Sequence, residues 1–320
     1  MKHLNYKQGG ASAQANSLQA QITSLLQEAQ RDTVEVGARS LNLCDGLRRS
    51  IYKGGTGDFL HPTEYDPQEH DARMIMQAAT ARTGGEVIYV RVHRPETQLP
   101  VVLLIDGSRT LMFGSGDESK LWLAAKAAVS LCLSLRDTQD RVLPIVYGGG
   151  STWTTGVPTA PQQAMYQIAA RLLEPSFTTE ASDLERALNM VPDRQAEVII
   201  ISDFLNLTPA AAQTLTRLGR RNSTRALVVH DIRERELPEP AWWWPLPSLL
   251  PVFDLETGEE ASWWNTAHNR ARFAHQFQVR QMALHELFDT SNIRHETIET
   301  NQGASGLRKF LRLLALPPIT

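Results

Sequence analysis

The sequence has almost no cysteine. Its only two cysteines, Cys44 and Cys132, lie far apart, and neither belongs to a Cys/His cluster with the spacing of zinc ligands. A disulfide framework and a structural zinc site therefore have no support in the sequence. Two isolated thiols are typical of a protein in a reducing compartment.

Long apolar runs are also missing. The most apolar helix candidate, residues 121–135, is too short to cross a bilayer and contains Lys126. The N-terminus lacks the apolar core of a secretory signal. We therefore expect no membrane span and a cytoplasmic location.

The chain has no strong excess of charge, with a formal net charge of -3 over 320 residues. Such a balance gives no general attraction to nucleic acid, so we expect no nucleic-acid partner. Neither a phosphate-binding GxxxxGK[ST] loop nor an HExxH zinc motif occurs. Hydrophobic residues make up 42%, which is typical of a folded globular protein.

Changes in composition along the chain predict three regions. Residues 1–35 are rich in Gln, Ala and Ser and have apolar residues at helical spacing, which predicts a solvated leader and an amphipathic helix. Residues 36–97 form a loop-rich accessory segment, in which residues 86–92 alternate as a strand does. Residues 98–320 form an α/β domain with a Pro/Trp-rich insertion at 236–264.

Within this domain, strand patterns alternate with helix patterns. The order predicts parallel pairing through right-handed crossovers, and so a doubly wound, mostly parallel sheet. The predicted strands are residues 101–105, 142–147, 197–201, 226–230 and 293–296, and the predicted helices are residues 119–135, 161–173, 182–190, 209–221, 265–288 and a last one from 305.

Two of these strands end in aspartate, at the sheet edge where ligands of such folds gather. Asp106 opens a turn that also contains Ser108 and Thr110, and Asp203 follows a later strand. Ser182 lies between them in the sequence, at the start of a predicted helix. Because all five side chains offer oxygen, they predict a site for one Mg²⁺, Mn²⁺ or Ca²⁺ ion.

These residues resemble the metal-ion-dependent adhesion site of von Willebrand factor A domains, whose pattern is Asp-x-Ser-x-Ser, then a Thr and a later Asp. Thr110 stands here where the second Ser is usual, and Ser182 where the Thr is usual. Both replacements keep a hydroxyl, so the oxygen ligands are retained.

The resemblance extends to the bacterial von Willebrand A-like family catalogued as domain of unknown function fifty-eight. Two departures from its pattern are Thr63-Glu64-Tyr65 and Met74-Ile75-Met76. The stretches that carry the resemblance are Gly57-Asp58-Phe59 to Tyr65-Asp66-Pro67, Asp71-Ala72-Arg73 with Thr80-Ala81-Arg82, the Asp106 turn with Met112-Phe113-Gly114 and Ser119-Lys120, Ser182-Asp183-Leu184 with Ala187-Leu188, Ser202-Asp203-Phe204, and residues 231–238 with Thr257-Gly258-Glu259.

The resemblance implies a non-enzymatic, metal-dependent adaptor with a chaperone-like role. In such a site the hydroxyls bind the cation directly, the two aspartates hold its waters, and a partner protein supplies a carboxylate. The resemblance also implies a MoxR-type AAA+ ATPase as the partner. Many members of the family carry N-terminal membrane helices, which are not found in this sequence.

Three other interpretations stay open. Asp106 and Asp203 are also typical strand-end caps, which would leave a metal-free structural interaction module. A Mg²⁺-dependent phosphatase of the haloacid dehalogenase type also begins with such an aspartate, but Ser108 stands where its general-acid Asp is needed. Trp242, Trp243 and Trp244 in the insertion are compatible with a partner-binding surface as much as with core packing.

Overall fold

The computed structural model describes twelve stretches of the chain, which together include all elements named below. They are residues 6–36, 59–66, 75–84, 86–93, 100–116, 118–136, 140–148, 150–174, 183–192, 196–239, 249–253 and 260–315.

The described residues form ten strands and nine α-helices. The strands are β1 (Phe59–Glu64), β2 (Tyr89–His93), β3 (Val101–Asp106), β4 (Val142–Gly148), β5 (Ser151–Thr154), β6 (Glu197–Ser202), β7 (Ser223–His230), β8 (Leu249–Phe253), β9 (Glu260–Trp264) and β10 (Arg294–Glu299). The helices are α1 (Tyr6–Val36), α2 (Gln77–Arg82), α3 (Lys120–Ser134), α4 (Pro161–Leu172), α5 (Leu184–Leu188), α6 (Pro209–Arg221), α7 (Ile232–Arg235), α8 (Ala267–Thr290) and α9 (Gly303–Ala315).

The centre of the fold is a six-stranded sheet with the order β10-β7-β6-β3-β4-β5. All neighbours pair in parallel except β5, which pairs antiparallel with β4 at one edge. From β3 the chain adds β4 on one side and β6 on the other, so the winding direction reverses between β3 and β6. In open α/β sheets, ligands bind outside the carboxyl ends of the strands at this reversal.

The central strands are buried on both faces, which explains their unbroken aliphatic sequences. Every residue of β3, β4 and β6 is buried. The core on one face includes side chains of α3, α4 and α9, with α1 outside them, whereas the core on the other face includes side chains of α5, α6 and α8. Two separate apolar cores therefore hold the sheet and keep the ends of its strands in place.

The structure confirms a mixed α/β fold with a mostly parallel sheet, and it adds strands that the sequence analysis did not predict. They are the edge strand β5, the hairpin of β8 and β9 inside the insertion, and β1, which pairs with β2 apart from the main sheet. Strands of this kind are buried on one face at most, so they lack the continuous aliphatic run that marks a central strand.

Helix α1 packs on the outside of α3 and α4 and adds to one of the two cores. Ile22, Leu25 and Ala29 are buried there. The indole nitrogen of Trp122 on α3 donates a hydrogen bond to Glu28, with 3.0 Å between Nε1 and Oε2. The helix begins at Tyr6, earlier than the solvated leader of the sequence analysis implied, and its side chains from residue 17 to residue 32 alternate between the core and the surface.

No helix among the described stretches combines the length and the apolar character needed to cross a membrane.

We expect Leu25→Ala to lower the free energy of unfolding by about 2–4 kcal/mol, because it leaves a cavity in place of a fully buried side chain. Urea unfolding followed by circular dichroism measures this change. The exposed neighbour Gln27 supplies the control. Equal midpoints for Leu25→Ala and Gln27→Ala would mean that α1 adds no stability to the domain.

Candidate functional site

Asp106 is the last residue of β3, and its carboxylate is buried at the carboxyl end of the sheet. Its relative exposure is 3%. One oxygen, Oδ1, accepts a hydrogen bond of 2.8 Å from the backbone N–H of Ser108. The other, Oδ2, accepts one of 2.7 Å from the hydroxyl of Ser202. Both donors are uncharged, so these contacts orient the carboxylate without neutralising it.

The two hydroxyls of the Asp106 turn lie side by side. Ser108 and Thr110 are both buried, and 2.9 Å separates Oγ of Ser108 from Oγ1 of Thr110. Gly107 between Asp106 and Ser108 donates a backbone hydrogen bond of 2.7 Å to Tyr147 on β4. A Cβ on Gly148 would lie 2.6 Å from the carbonyl carbon of Gly107, so a glycine is needed there for β4 to pass so close to the turn.

Asp203 follows β6 and is held by a tight turn. Its Oδ1 accepts a hydrogen bond of 3.1 Å from the backbone N–H of Leu205, and the hydroxyl of Ser202 accepts one of 3.0 Å from Phe204. Phe204 has a φ of 51°, a conformation that is rare and costly for a residue other than glycine. The turn fixes the Asp203 carboxylate at the end of β6, next to Ser202, whose hydroxyl donates to Asp106.

Lys120, the first residue of α3, brings a buried positive charge to the site. Its ammonium donates a hydrogen bond of 2.7 Å to Oδ2 of Asp203 and another to Oε1 of Glu234 on α7. Its side chain has no exposed area. Burial works against the charged amine, but the carboxylates of Asp203 and Glu234 raise the pKa of Lys120 above its usual value. The lysine is therefore a fixed cation between two elements.

Glu234 connects this ion pair to the end of β7. Its other oxygen, Oε2, lies 3.4 Å from Nδ1 of His230. Burial opposes ionisation, yet His230 and the Lys120 ammonium together lower the pKa of Glu234. The ring of His230 in turn packs edge-on against Phe277 of α8, with 5.3 Å between the ring centroids.

Asp231, which follows β7, connects the segment around Ser115 to the residues after β10 at this end of the sheet. Its carboxylate accepts hydrogen bonds from the backbone of Ser115, the hydroxyl of Thr300 and the backbone of Arg233. Burial opposes ionisation of the Asp231 carboxyl, but these hydrogen bonds outweigh it and lower the pKa of Asp231. Asp231 and Glu234 also form a capping box on α7, so its start is fixed on both sides.

The electrostatics of the site are unbalanced. Burial, followed by the charge of Asp203, raises the pKa of Asp106 from 3.8 to about 7. Of the three acids Asp106, Asp203 and Glu234, only the last two form an ion pair with an ammonium among the described residues, and both share that of Lys120. A further positive charge beside Asp106 would relieve this repulsion.

The donor set fits a hard divalent cation, because it combines two adjacent hydroxyls with two carboxylates. Within the described stretches, no three His, Cys, Asp or Glu side chains form a group that could hold a metal ion. A cation here would therefore depend on Ser108 and Thr110 rather than on carboxylates alone.

The structure brings four of the five proposed ligands to one place: Asp106, Ser108 and Thr110 at the end of β3, and Asp203 at the end of β6. Ser182, the fifth, lies outside the described residues, as do Trp242, Trp243 and Trp244.

Lys120, Glu234 and His230 were not predicted from the sequence as residues of the site. Only Lys120 carried a signal: it is a lysine directly after the helix cap Ser119, where its charge opposes the helix dipole.

Comparisons with known proteins identify a family. A model described as a protein of unknown function, DUF58, matches residues 63–283. No curated protein matches the chain.

Solved structures to which the chain is similar include two from Bacteroides. The chain is 14% identical to an aerotolerance-related membrane protein from Bacteroides fragilis with multiple mutations to serines, with a TM-score of 0.42 and coverage of 68% of this chain and 98% of that one. It is also 14% identical to the conserved hypothetical protein BatB from Bacteroides thetaiotaomicron, with a TM-score of 0.39 and the same coverage of 68% and 98%.

We expect Lys120→Met to lower the free energy of unfolding by about 3–5 kcal/mol, because it leaves the carboxylates of Asp203 and Glu234 buried without their cation. Urea unfolding measures the loss. Lys309→Met, at an exposed position of α9, is the matched control and should change stability little. A similar small effect of both variants would contradict a structural role for the Lys120 ammonium.

The raised pKa of Asp106 predicts how stability depends on pH. Because the folded-state pKa of about 7 lies above the usual aspartate value of 3.8, folded protein binds this proton more tightly than unfolded protein. The stabilisation of the folded state by protonated Asp106 is complete below the pKa of the unfolded state and is lost as pH rises through the pKa of the folded state.

In metal-free buffer, Asp106→Asn should therefore be more stable than the wild type near about pH 8, by ~1–4 kcal/mol, and similar to it near about pH 4. Urea unfolding at both pH values tests this. The exposed Asp289→Asn is the control. A stability difference that is the same at both pH values would rule out titration of Asp106 as its cause.

Proposed function

The chain belongs to the DUF58 family of proteins of unknown function, and we propose that it is a non-enzymatic protein-binding module with a divalent-cation site at the ends of β3 and β6. One observation supports this most. Asp106 is buried beside Asp203, receives only uncharged hydrogen-bond donors, and has a pKa of about 7. A buried carboxylate beside a second carboxylate destabilises the folded protein unless a cation neutralises the two charges.

The hydroxyls of Ser108 and Thr110 would hold the cation directly, and Asp106 and Asp203 would hold its water molecules. Ser182 would add a further hydroxyl. A bound Mg²⁺ or Mn²⁺ ion would supply a positive charge with few carboxylate ligands of its own, which favours binding of an acidic side chain. The partner would therefore present an Asp or a Glu to this edge of the sheet.

For the partner itself we propose a MoxR-type AAA+ ATPase in the cytoplasm, with the chain acting in a chaperone-like assembly. The support is the resemblance of this chain to von Willebrand A-like proteins of the same family. The architecture is compatible with the proposal, since the site lies where the winding of the sheet reverses and Asp231 and α7 fix the loops around it.

One observation favours a second candidate, a metal-free interaction module. Oδ2 of Asp203 already accepts a hydrogen bond from the ammonium of Lys120. In this alternative Lys120 is the built-in cation of the site, and the surrounding hydroxyls serve as strand-end caps. The two candidates differ in one measurable property, which is the response of the protein to a divalent ion.

Isothermal titration with Mn²⁺ and Mg²⁺ distinguishes them. We expect saturable binding by the wild type and a loss of affinity of more than about tenfold in Ser108→Ala/Thr110→Ala, because the direct ligands are removed. The matched control Thr110→Ser keeps the hydroxyl and should bind close to the wild type. No saturable heat with either ion would favour the metal-free module.

A further inference from the structure

Helix α8 carries positive charge along most of its length. Residues 267–285 include three arginines and three histidines but no acidic residue, in a chain whose net charge is -3. Arg272 and Arg280 are exposed. The guanidinium of Arg270 is used differently, since it donates a hydrogen bond of 3.1 Å to the side chain of Asn265.

The position of these charges does not stabilise the helix. His268, Arg270 and Arg272 lie in the first two turns of α8, and the first turn has no acidic residue. The N-terminal end of a helix carries partial positive charge, so basic side chains are unfavourable there and acidic ones are favoured. A ligand with negative charge explains this placement better than the fold does.

Large apolar side chains are exposed among the basic ones. Val279 and Met282 on α8 are 52% and 68% exposed, and Trp264, just before the helix, is 58% exposed. Residues 267–283 contribute no buried side chain, whereas Leu284 and Phe288 near the end of the helix are buried in the core. The helix is therefore anchored at one end and presents a basic and apolar surface along the rest.

Other side chains of α8, which are half-buried, connect the helix to the site at the sheet edge. Gln281 of α8 lies 2.6 Å from His230, measured between Nε2 and Nε2, and the ring of His230 packs on Phe277. His230 contacts Glu234, which shares the ammonium of Lys120 with Asp203. Only a few side chains separate α8 from the proposed cation site.

We propose that the surface of α8 formed by Arg272, Arg280, Val279 and Met282, together with Trp264, docks an acidic segment of a partner protein that also contains apolar side chains. Glutamates or aspartates of the segment pair with the arginines, and its apolar residues cover Val279, Met282 and Trp264. That this partner is the same protein that binds the cation site rests on the proposed function. The α8 surface itself does not depend on a bound metal.

A synthetic peptide tests the surface directly. The probe is a fluorescein-labelled peptide of glutamates around a central tryptophan, and the comparison peptide has glutamine in place of glutamate. Fluorescence anisotropy at low salt gives the dissociation constant for the full chain. We expect Arg272→Glu/Arg280→Glu to weaken binding of the glutamate peptide at least about tenfold, and added salt to weaken its binding to the wild type.

The matched control is Arg220→Glu/Lys309→Glu, which makes the same change of charge at exposed positions of α6 and α9. It should bind the peptide like the wild type. Arg272→Gln/Arg280→Gln removes the positive charges without adding negative ones and should give an intermediate affinity. Equal weakening in both charge-reversed variants, or equal binding of the two peptides, would overturn the proposal.

Two further arms assign the partner and separate this surface from the cation site. Tighter binding of a single-stranded DNA of matched charge through the same arginines would overturn the assignment to a protein segment. Titrations in Mg²⁺ and in EDTA, with Ser108→Ala/Thr110→Ala, test the cation site. If only that site is wrong, metal and these substitutions change nothing while Arg272→Glu/Arg280→Glu still weakens binding. If only the α8 surface is wrong, metal and Ser108→Ala/Thr110→Ala change peptide binding while Arg272→Glu/Arg280→Glu does not weaken it.

Discussion

The buried ammonium of Lys120 holds together the elements at the carboxyl end of the central sheet. It joins the start of α3 to the turn after β6 and to α7, through Asp203 and Glu234. Without it, two carboxylates at the end of the sheet would be buried without a counterion, which is far more costly than losing a surface ion pair. This one cation therefore links the turn after β6 to α7, and Glu234 of α7 in turn contacts His230 at the end of β7.

The Lys120 ammonium does not neutralise the charge of Asp106. Lys120 contacts Asp203 and Glu234, whereas Asp106 is oriented by Ser108 and Ser202, which are uncharged donors. The fold thus keeps one buried carboxylate in an unfavourable state, as sites that bind ligands often do. This imbalance connects the physical description of the site to the proposal that a cation binds there.

Much of the fold was predictable because burial on both faces leaves a clear sequence pattern. The aliphatic runs before Asp106 and before Ser202 could only be central strands, and alternating helices made the sheet parallel. The edge strand β5 and the hairpin of β8 and β9 were missed, since short strands with one buried face or none have no such run. Local pattern cannot show which strands lie at an edge.

Sequence alone determined the strand-terminal oxygens, Asp106, Ser108, Thr110 and Asp203, because residues at the carboxyl ends of parallel strands meet at one edge whatever the details of packing. The tertiary structure alone decided which charges neutralise them. Lys120 and Asp203 are 83 positions apart, and Lys120 and Glu234 are 114 apart. Such pairs form through the packing of α3 and α7 on the sheet, and no local periodicity or spacing encodes them.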